Sequence, residues 1–307
     1  MVRISSIVIG MLFLITVALP QSGAQPPNAA TLPEVRIGLP DALFRDVHPA
    51  LVDTAAKPFK DTIQKTLEMN GSLVKAKDYK VLADQLKSGQ VDIALFHGFE
   101  YAWVKGMYPD LQLVPLVMTL PKCGKVQACI VVNVASKAAE PKDLKGACVA
   151  IPKGSKAHCQ MFLERLQNQL LPDKNVCCPI ERKGAPLSNE EILDDVASGC
   201  GSCEAALVDI SSLLAYQADK PGLGACLKVL TKSELLPAAV IVCRKDALKQ
   251  SQKDAIIKGM VESTKTPAGR IFAMFWNLKG FGVVTDEYQA LVDQTLKSYP
   301  APTNPNK

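Results

Sequence analysis

Apolar and polar residues along this chain fall into blocks. Short apolar runs recur at Val35–Leu39, Leu73–Ala76, Val91–Phe96, Leu111–Val117, Ala128–Val134, Gly146–Ile151, Glu204–Val208 and Ala238–Val242. Runs of this length, bounded by Gly, Pro, Asn, Asp and Ser, predict buried strands. Between them the apolar positions are three and four residues apart, the mark of a helix with one buried face. That spacing predicts helices over Lys57–Met69, Tyr79–Lys87, Cys159–Leu170 and Glu190–Ala197. Three more are predicted at the C-terminal end: Ser251–Ser263, Ala268–Trp276 and Glu287–Lys297. In the second helix Val81, Leu82 and Leu86 share a face. Asn70-Gly71 and Ser88-Gly89 are helix stops. Asp41–Asp53 reads as a loop or short helix containing His48-Pro49, and Gly280-Phe281-Gly282 as a turn between the last two helices.

Two patterns occur twice. A helix, Ser-Gly, an acidic residue, an apolar strand and a polar tip follow one another from Tyr79 to His97 and again from Glu190 to Asp209. The apolar strands at Ala128–Val134 and Ala238–Val242 each lead into a polar stretch that starts a helix. Strands alternating with helices in two similar sets predict two α/β lobes with a cleft between them. Ligands of open α/β sheets sit beyond the carboxyl ends of strands. The polar tips at His97, Gly154 and Asp209 are such ends.

The stretch Ile151-Pro152-Lys153-Gly154-Ser155-Lys156-Ala157-His158 carries the most chemistry. It joins a predicted strand to a helix whose apolar residues are Met161, Phe162, Leu163, Leu166 and Leu170. Unpaired N–H groups at a helix start attract anions, and the helix dipole adds to the attraction. Gly154 admits an oxyanion to the backbone, Ser155 offers a hydroxyl and Lys156 a full charge. The competing reading makes Ser155 an N-cap and leaves Lys156 in water. The spacing is not that of a P-loop.

The ends, the charge and the cysteines narrow the class. Arg3, an apolar run from Ile7 to Leu19, Pro20 and Ser22-Gly23-Ala24 form a secretory signal cleaved near Ala24; the run is short for a membrane span. Residues 25–33 form a proline-containing leader and 301–307 a polar tail. The net charge of +5 comes from dispersed lysines, which argues against nucleic acid and polybasic membrane binding. All ten cysteines lie between Cys123 and Cys243, so disulfides are expected in one part of an exported molecule. Cys200-x-x-Cys203 leaves a thiol-redox role or metal binding open. The three histidines, His48, His97 and His158, form no metal or triad motif, and no G-x-S-x-G elbow is present. No catalytic residue, cofactor or metal ligand is expected, which favours a binding protein over an enzyme.

From Val35 to Tyr299 the chain resembles the phosphate/phosphite/phosphonate-binding family of solute-binding proteins that serve ABC transporters. The resemblance rests on Tyr79-Lys80-Val81-Leu82 through Tyr101, on Pro141-Lys142-Asp143-Leu144-Lys145-Gly146 into the turn above, and on Thr266-Pro267 through Gly280-Phe281. It implies a two-lobed type 2 periplasmic-binding fold with a ligand cleft between the lobes. Residues 34–122 and 236–300 would form lobe 1 and 123–235 the cysteine-rich lobe 2, with crossovers near 119–130 and 228–240. The family's Ser-Thr-Ser-Gly turn falls at Gly154, Ser155, Lys156 and Ala157, so one of three hydroxyls remains and a lysine has entered. Tyr101, at the tip that begins with His97, and Asp209 match family positions. A family polar residue falls at Asn189, and an aromatic one at Ala56. The implied protein is periplasmic and monomeric, binds a small oxyanion and meets an ABC transporter permease. A sensor or interaction module of the same fold is the alternative.

Overall fold

The computed structural model describes residues 34–41, 64, 69–144, 146–152, 155–169, 177–178, 181–182, 185–199, 201 and 203–302. The signal, the leader, the stretch with His48-Pro49, Ala56, nearly all of the helix expected over Lys57–Met69, Gly154, Cys200 and residues 303–307 lie outside these. The strands are β1 (Glu34–Pro40), β2 (Asn70–Ala76), β3 (Ile93–Phe96), β4 (Leu113–Pro121), β5 (Ala128–Asn133), β6 (Val149–Ala150) and β7 (Cys177–Cys178). They continue with β8 (Glu181–Arg182), β9 (Ala185–Pro186), β10 (Ala205–Asp209), β11 (Leu227–Lys232), β12 (Val240–Arg244) and β13 (Leu278–Val283). The helices are α1 (Tyr79–Ser88), α2 (Gly98–Met107), α3 (Ala157–Gln169), α4 (Asn189–Ser198) and α5 (Ile210–Asp219). After them come α6 (Pro221–Gly224), α7 (Gln250–Glu262), α8 (Pro267–Phe275) and α9 (Asp286–Ser298).

Two sheets result, ordered β13-β4-β12-β3-β1-β2 and β11-β5-β10-β6-β7, with β8 and β9 paired to each other. The chain passes from the first sheet to the second after β4 and returns after β11. The two crossing segments touch: Val126 and Leu236 form an antiparallel bridge, with Leu236 N donating to Val126 O at 3.0 Å.

Near-continuous apolar strands are possible because helices cover both faces of each sheet. Within β5, Ala128, Ile130 and Val132 face the core under α3, whereas Cys129 and Val131 face the core under α4 and α5. Within β12, Val240 and Val242 pack with α1, α2 and α9, whereas Ile241 and Cys243 pack with α7. Both sets are buried, so the period of two is invisible in hydropathy yet decides which helix each residue meets.

The repeated pattern has a structural counterpart. Gly89 and Gly199, which end α1 and α4, both adopt the left-handed conformation, with φ of 75° and 66°. Glycine reaches it without a Cβ penalty. The acid after each glycine secures the start of the neighbouring parallel strand. Asp92 accepts from Arg36 N at 2.9 Å beside β1, and Glu204 accepts from Cys148 N at 2.6 Å beside β6. Asp92 also holds the Arg36 guanidinium, at 3.0 and 2.9 Å.

Three expectations change. The buried face of α1 is Tyr79, Leu82, Ala83 and Leu86, with Val81 38% exposed. The glycine-containing stretch 278–283 is the edge strand β13, paired antiparallel to β4 with a register shift between Leu278 and Gly280. Its glycines hide the strand pattern, and Gly280 (φ 147°) admits Thr264, which would stand 2.9 Å from a Cβ there. Among the described residues the expected disulfides do not hold Cys123, Cys129, Cys159, Cys226 and Cys243, which are free thiols. Cys129 and Cys243 point from strands into the cores and Cys159 lies on the buried face of α3, each filling space as a small apolar group. Burial pushes the Cys129 thiol up to about 12 and the Cys243 thiol up to about 11, and raises that of Cys159 as well. Thiols react as thiolates. Iodoacetamide at pH 8 is therefore expected to leave these three unmodified in the native protein and to label them after denaturation. Rapid labelling by peptide mass spectrometry, or finding the three in disulfides, would contradict this.

Candidate ligand-binding site

β6 and β10 are parallel neighbours, with Val149 opposite Ala205 and Ala150 opposite Ala206. Their carboxyl ends therefore lie at one edge, and the turns into α3 and α5 are side by side. Asp209 ends β10 and caps α5, its Oδ1 accepting from Ser211 N at 2.9 Å. The Ser211 hydroxyl donates to the same oxygen. Lys156 Nζ, from the turn before α3, lies 3.0 Å from Asp209 Oδ1 and 3.2 Å from Ser211 Oγ. His158 Nε2 lies 2.7 Å from Asp209 Oδ2.

Asp209 is 5% exposed. Burial alone would raise its pKa, but the His158 hydrogen bond, the Lys156 charge and the Ser211 bond outweigh that and hold the carboxyl below the usual range. An ionised carboxylate only accepts, so His158 Nε2 carries the hydrogen. His158 is buried, whereas the Lys156 side chain is 54% exposed. An ammonium has three donors. Two of those on Lys156 are engaged by Asp209 and Ser211 among the described residues. At the start of α3 the N–H groups of Ala157 and His158 have no acceptor within the helix, whereas those of Cys159 and Gln160 donate to Lys156 O. The arrangement can thus present an oriented cation and backbone donors to an anion, with Asp209 fixing the geometry.

Helix α3 begins at Ala157, so Lys156 rather than Ser155 precedes it, and Lys156 O accepts from Cys159 N at 2.9 Å. Ser155 is buried and hydrogen-bonds the Cys159 thiol. His97 caps α2, with its ring stacked on Phe99 at 5.4 Å, and its N–H donates to Glu100 Oε2 at 3.1 Å. Glu100 is buried, and burial pushes its carboxyl up to about 7 against the hydrogen bond from His97. Tyr101 is 2% exposed and hydrogen-bonded to Gln289 of α9. Asn189 is exposed at the start of α4. Its neighbours Glu190 and Asp194 pair with Lys220, at the opposite end of α5 from Asp209.

Of the residues expected from sequence, the structure joins Lys156 and Asp209 directly. It adds His158 and Ser211, which sequence reasoning left aside. Asp209-x-Ser211 is a capping pattern that could have drawn attention to Ser211. Nothing local signals His158, whose partner is 51 residues away. Among the described residues no three His, Cys, Asp or Glu side chains are placed to hold a metal ion. A surface cavity of about 370 Å³ lies elsewhere, lined by Lys122, Thr264, Arg270, Asn277 and Lys279.

Solved structures share this architecture. XAC2383 from Xanthomonas citri, bound to chloride ion, is 15% identical over 87% of this chain and 97% of its own, with a TM-score of 0.59. PhnD1 from Prochlorococcus marinus, in complex with methylphosphonate, is 13% identical over 86% and 97%, with a TM-score of 0.56. A binding protein component of an ABC phosphonate transporter from Pseudomonas aeruginosa is 15% identical over 90% and 91%, with a TM-score of 0.51. The fold is that of a two-lobed α/β periplasmic binding protein. A comparison with curated protein sequences finds no match. The family profile described as "ABC transporter, phosphonate, periplasmic substrate-binding protein" matches residues 43–288. The chain belongs to this family, whose members are transport binding proteins. Among the described residues no helix is long and apolar enough to cross a membrane.

Proposed function

We propose that this protein captures a small oxyanion of the phosphate, phosphite or phosphonate class between two lobes in the periplasm. It hands the ligand, as a monomer, to an ABC transporter permease. Residues 34–122 with 236–300 form one lobe and 123–235 the other, and the export signal is removed near Ala24. The reading rests on one observation: Lys156 is half exposed at the start of α3 and is held there by buried Asp209. A charged hydrogen bond contributes about 1.5–3 kcal/mol net, and micromolar binding needs about 8 kcal/mol. Lys156 therefore acts with the turn at Gly154 and Ser155, the N–H groups of Ala157 and His158, and donors from the other lobe near His97.

Calorimetry with phosphate, phosphite, methylphosphonate, sulfate and acetate identifies the ligand. Lys156→Gln is then expected to raise its Kd at least tenfold, about 1.4 kcal/mol, with little change in folding. Glutamine is preferred to glutamate, which would face Asp209. An unchanged Kd would move the site away from this turn.

A further inference from the structure

The outer face of α8 carries apolar side chains. Its start is set by Pro267 and by the Thr266 hydroxyl, which accepts from Gly269 N at 3.0 Å. The inner row is Gly269, Phe272 and Ala273, with the Phe272 ring 5.9 Å from that of Phe281 in β13. The outer row is Arg270, Ile271 and Met274. Met274 is 76% exposed and Ile271 61%, the two most exposed large apolar side chains among the described residues. Asn277, in the left-handed region at φ 52°, then reverses the chain into β13. Its carbonyl accepts from Lys122 N at 3.1 Å, just past β4. Lys122, Arg270, Met274 and Lys279 therefore line one concavity, of about 370 Å³, at the edge strand of the first sheet. The three cations are exposed, and among the described residues none of them meets a carboxylate. Charges far apart in the sequence are gathered here by the fold.

Three kinds of occupant suit an apolar, cationic face, and chemistry separates them. A second copy would oppose like charges. Protein interfaces are depleted in Lys and centre on aromatic or Arg anchors. Here two of the three cations are Lys, and the Phe272 ring faces inward. An anionic bilayer takes apolar side chains at its acyl boundary and cations at its phosphates, on lysine stems that reach sideways. We propose that the outer face of α8, with Lys122 and Lys279, docks this protein on an anionic phospholipid surface. Ile271 and Met274 enter the acyl boundary, and Lys122, Arg270 and Lys279 pair with headgroup phosphates. The patch belongs to the first sheet, whereas Lys156 and Asp209 belong to the second, so docking does not depend on the oxyanion reading. Each cation near an anionic surface contributes about fivefold to binding. Three contribute about a hundredfold, and that part disappears when salt shortens the screening length. The apolar pair adds a part that salt does not remove.

The test is co-sedimentation of the exported, processed protein with vesicles of phosphatidylglycerol and phosphatidylcholine, and with phosphatidylcholine alone. Wild type is expected to sediment with the anionic vesicles and to stay in solution with the neutral ones. Lys122→Gln, Arg270→Gln and Lys279→Gln combined should weaken binding about a hundredfold, and Lys279→Gln alone about fivefold. Ile271→Ser with Met274→Ser should leave a residual binding that high salt abolishes. Circular dichroism should be unchanged throughout, because all five side chains are exposed. Should the triple variant unfold, Lys279→Gln and the salt dependence decide. A wild type that ignores anionic vesicles, binds neutral ones equally, or binds as well after the triple substitution overturns the proposal. Binding to polyglutamate but not to vesicles would assign the patch to an acidic protein and overturn it too.

Discussion

Asp209→Asn is expected to lower stability by about 2–3 kcal/mol at pH 7, the scale of losing hydrogen bonds to charged groups around a buried carboxylate. Asparagine can still cap α5, so the loss isolates the charge from the cap. The His158 bond carries most of the effect, because both partners are buried. The share from half-exposed Lys156 is screened by solvent and counts for less. The pH dependence follows from the sign of the shift. The Asp209 carboxyl titrates below its ordinary value in the folded protein. Its stabilisation is therefore present above the unfolded pKa of about 3.9 and disappears as pH falls through the folded one. Urea unfolding at pH 7, 5 and 3 should show a constant gap between wild type and variant down to about pH 4, then a narrowing one. A gap as wide at pH 3 as at pH 7, or none at pH 7, would falsify this account.

Gly98→Ala is expected to cost about 3 kcal/mol or more, at the top of the range for overpacking. Gly98 is the first residue of α2, where the helix start meets the returning crossing segment. A Cβ there would lie 2.1 Å from Pro237 O, 2.5 Å from Pro237 C and 2.6 Å from Ala238 O. All three are main-chain atoms, so no side-chain rotation relieves the clash. The segment must shift, and it carries further contacts: Ala238 O accepts from the Tyr288 hydroxyl at 2.7 Å and Ala239 O from Thr119 N at 2.7 Å. Gly222→Ala is the control, since nothing lies within 4 Å of a Cβ there. Denaturation midpoints should separate the two variants clearly. A Gly98→Ala protein within 1 kcal/mol of wild type would show that the crossing segment yields easily.

Most of the secondary structure was legible because its causes are local. The Ser-Gly pairs that close α1 and α4 announce a left-handed residue wherever they stand. The apolar runs of β3, β5, β10 and β12 can only be buried strands once helices flank them. β13 was not legible: it borrows its pairing from β4, and its glycines erase the apolar alternation. Helix α2 was read only as the tip at His97. Its first turn is Gly98-Phe99-Glu100, and a buried glutamate looks polar until the cover over it is known.

The cysteines and the site show the same division. Ten cysteines in an exported chain suggest cross-links on composition, but pairing depends on where strands and helices carry each sulfur. Cys129, Cys159 and Cys243 were carried into apolar cores as free thiols. The turn at Gly154–Lys156 was found as a candidate from its residues, as was the acid at Asp209. Their contact was not, and neither was the buried imidazole of His158 on the other carboxylate oxygen of Asp209. What the sequence determined by itself is the set of elements, the two-part α/β plan and the strand ends that carry polar groups, because backbone geometry and apolar burial act over a few residues. The tertiary structure alone decided that β6 and β10 lie side by side and that Asp209 meets both Lys156 and His158. Those contacts join residues more than fifty positions apart, and only the packing of whole helices and sheets sets such distances.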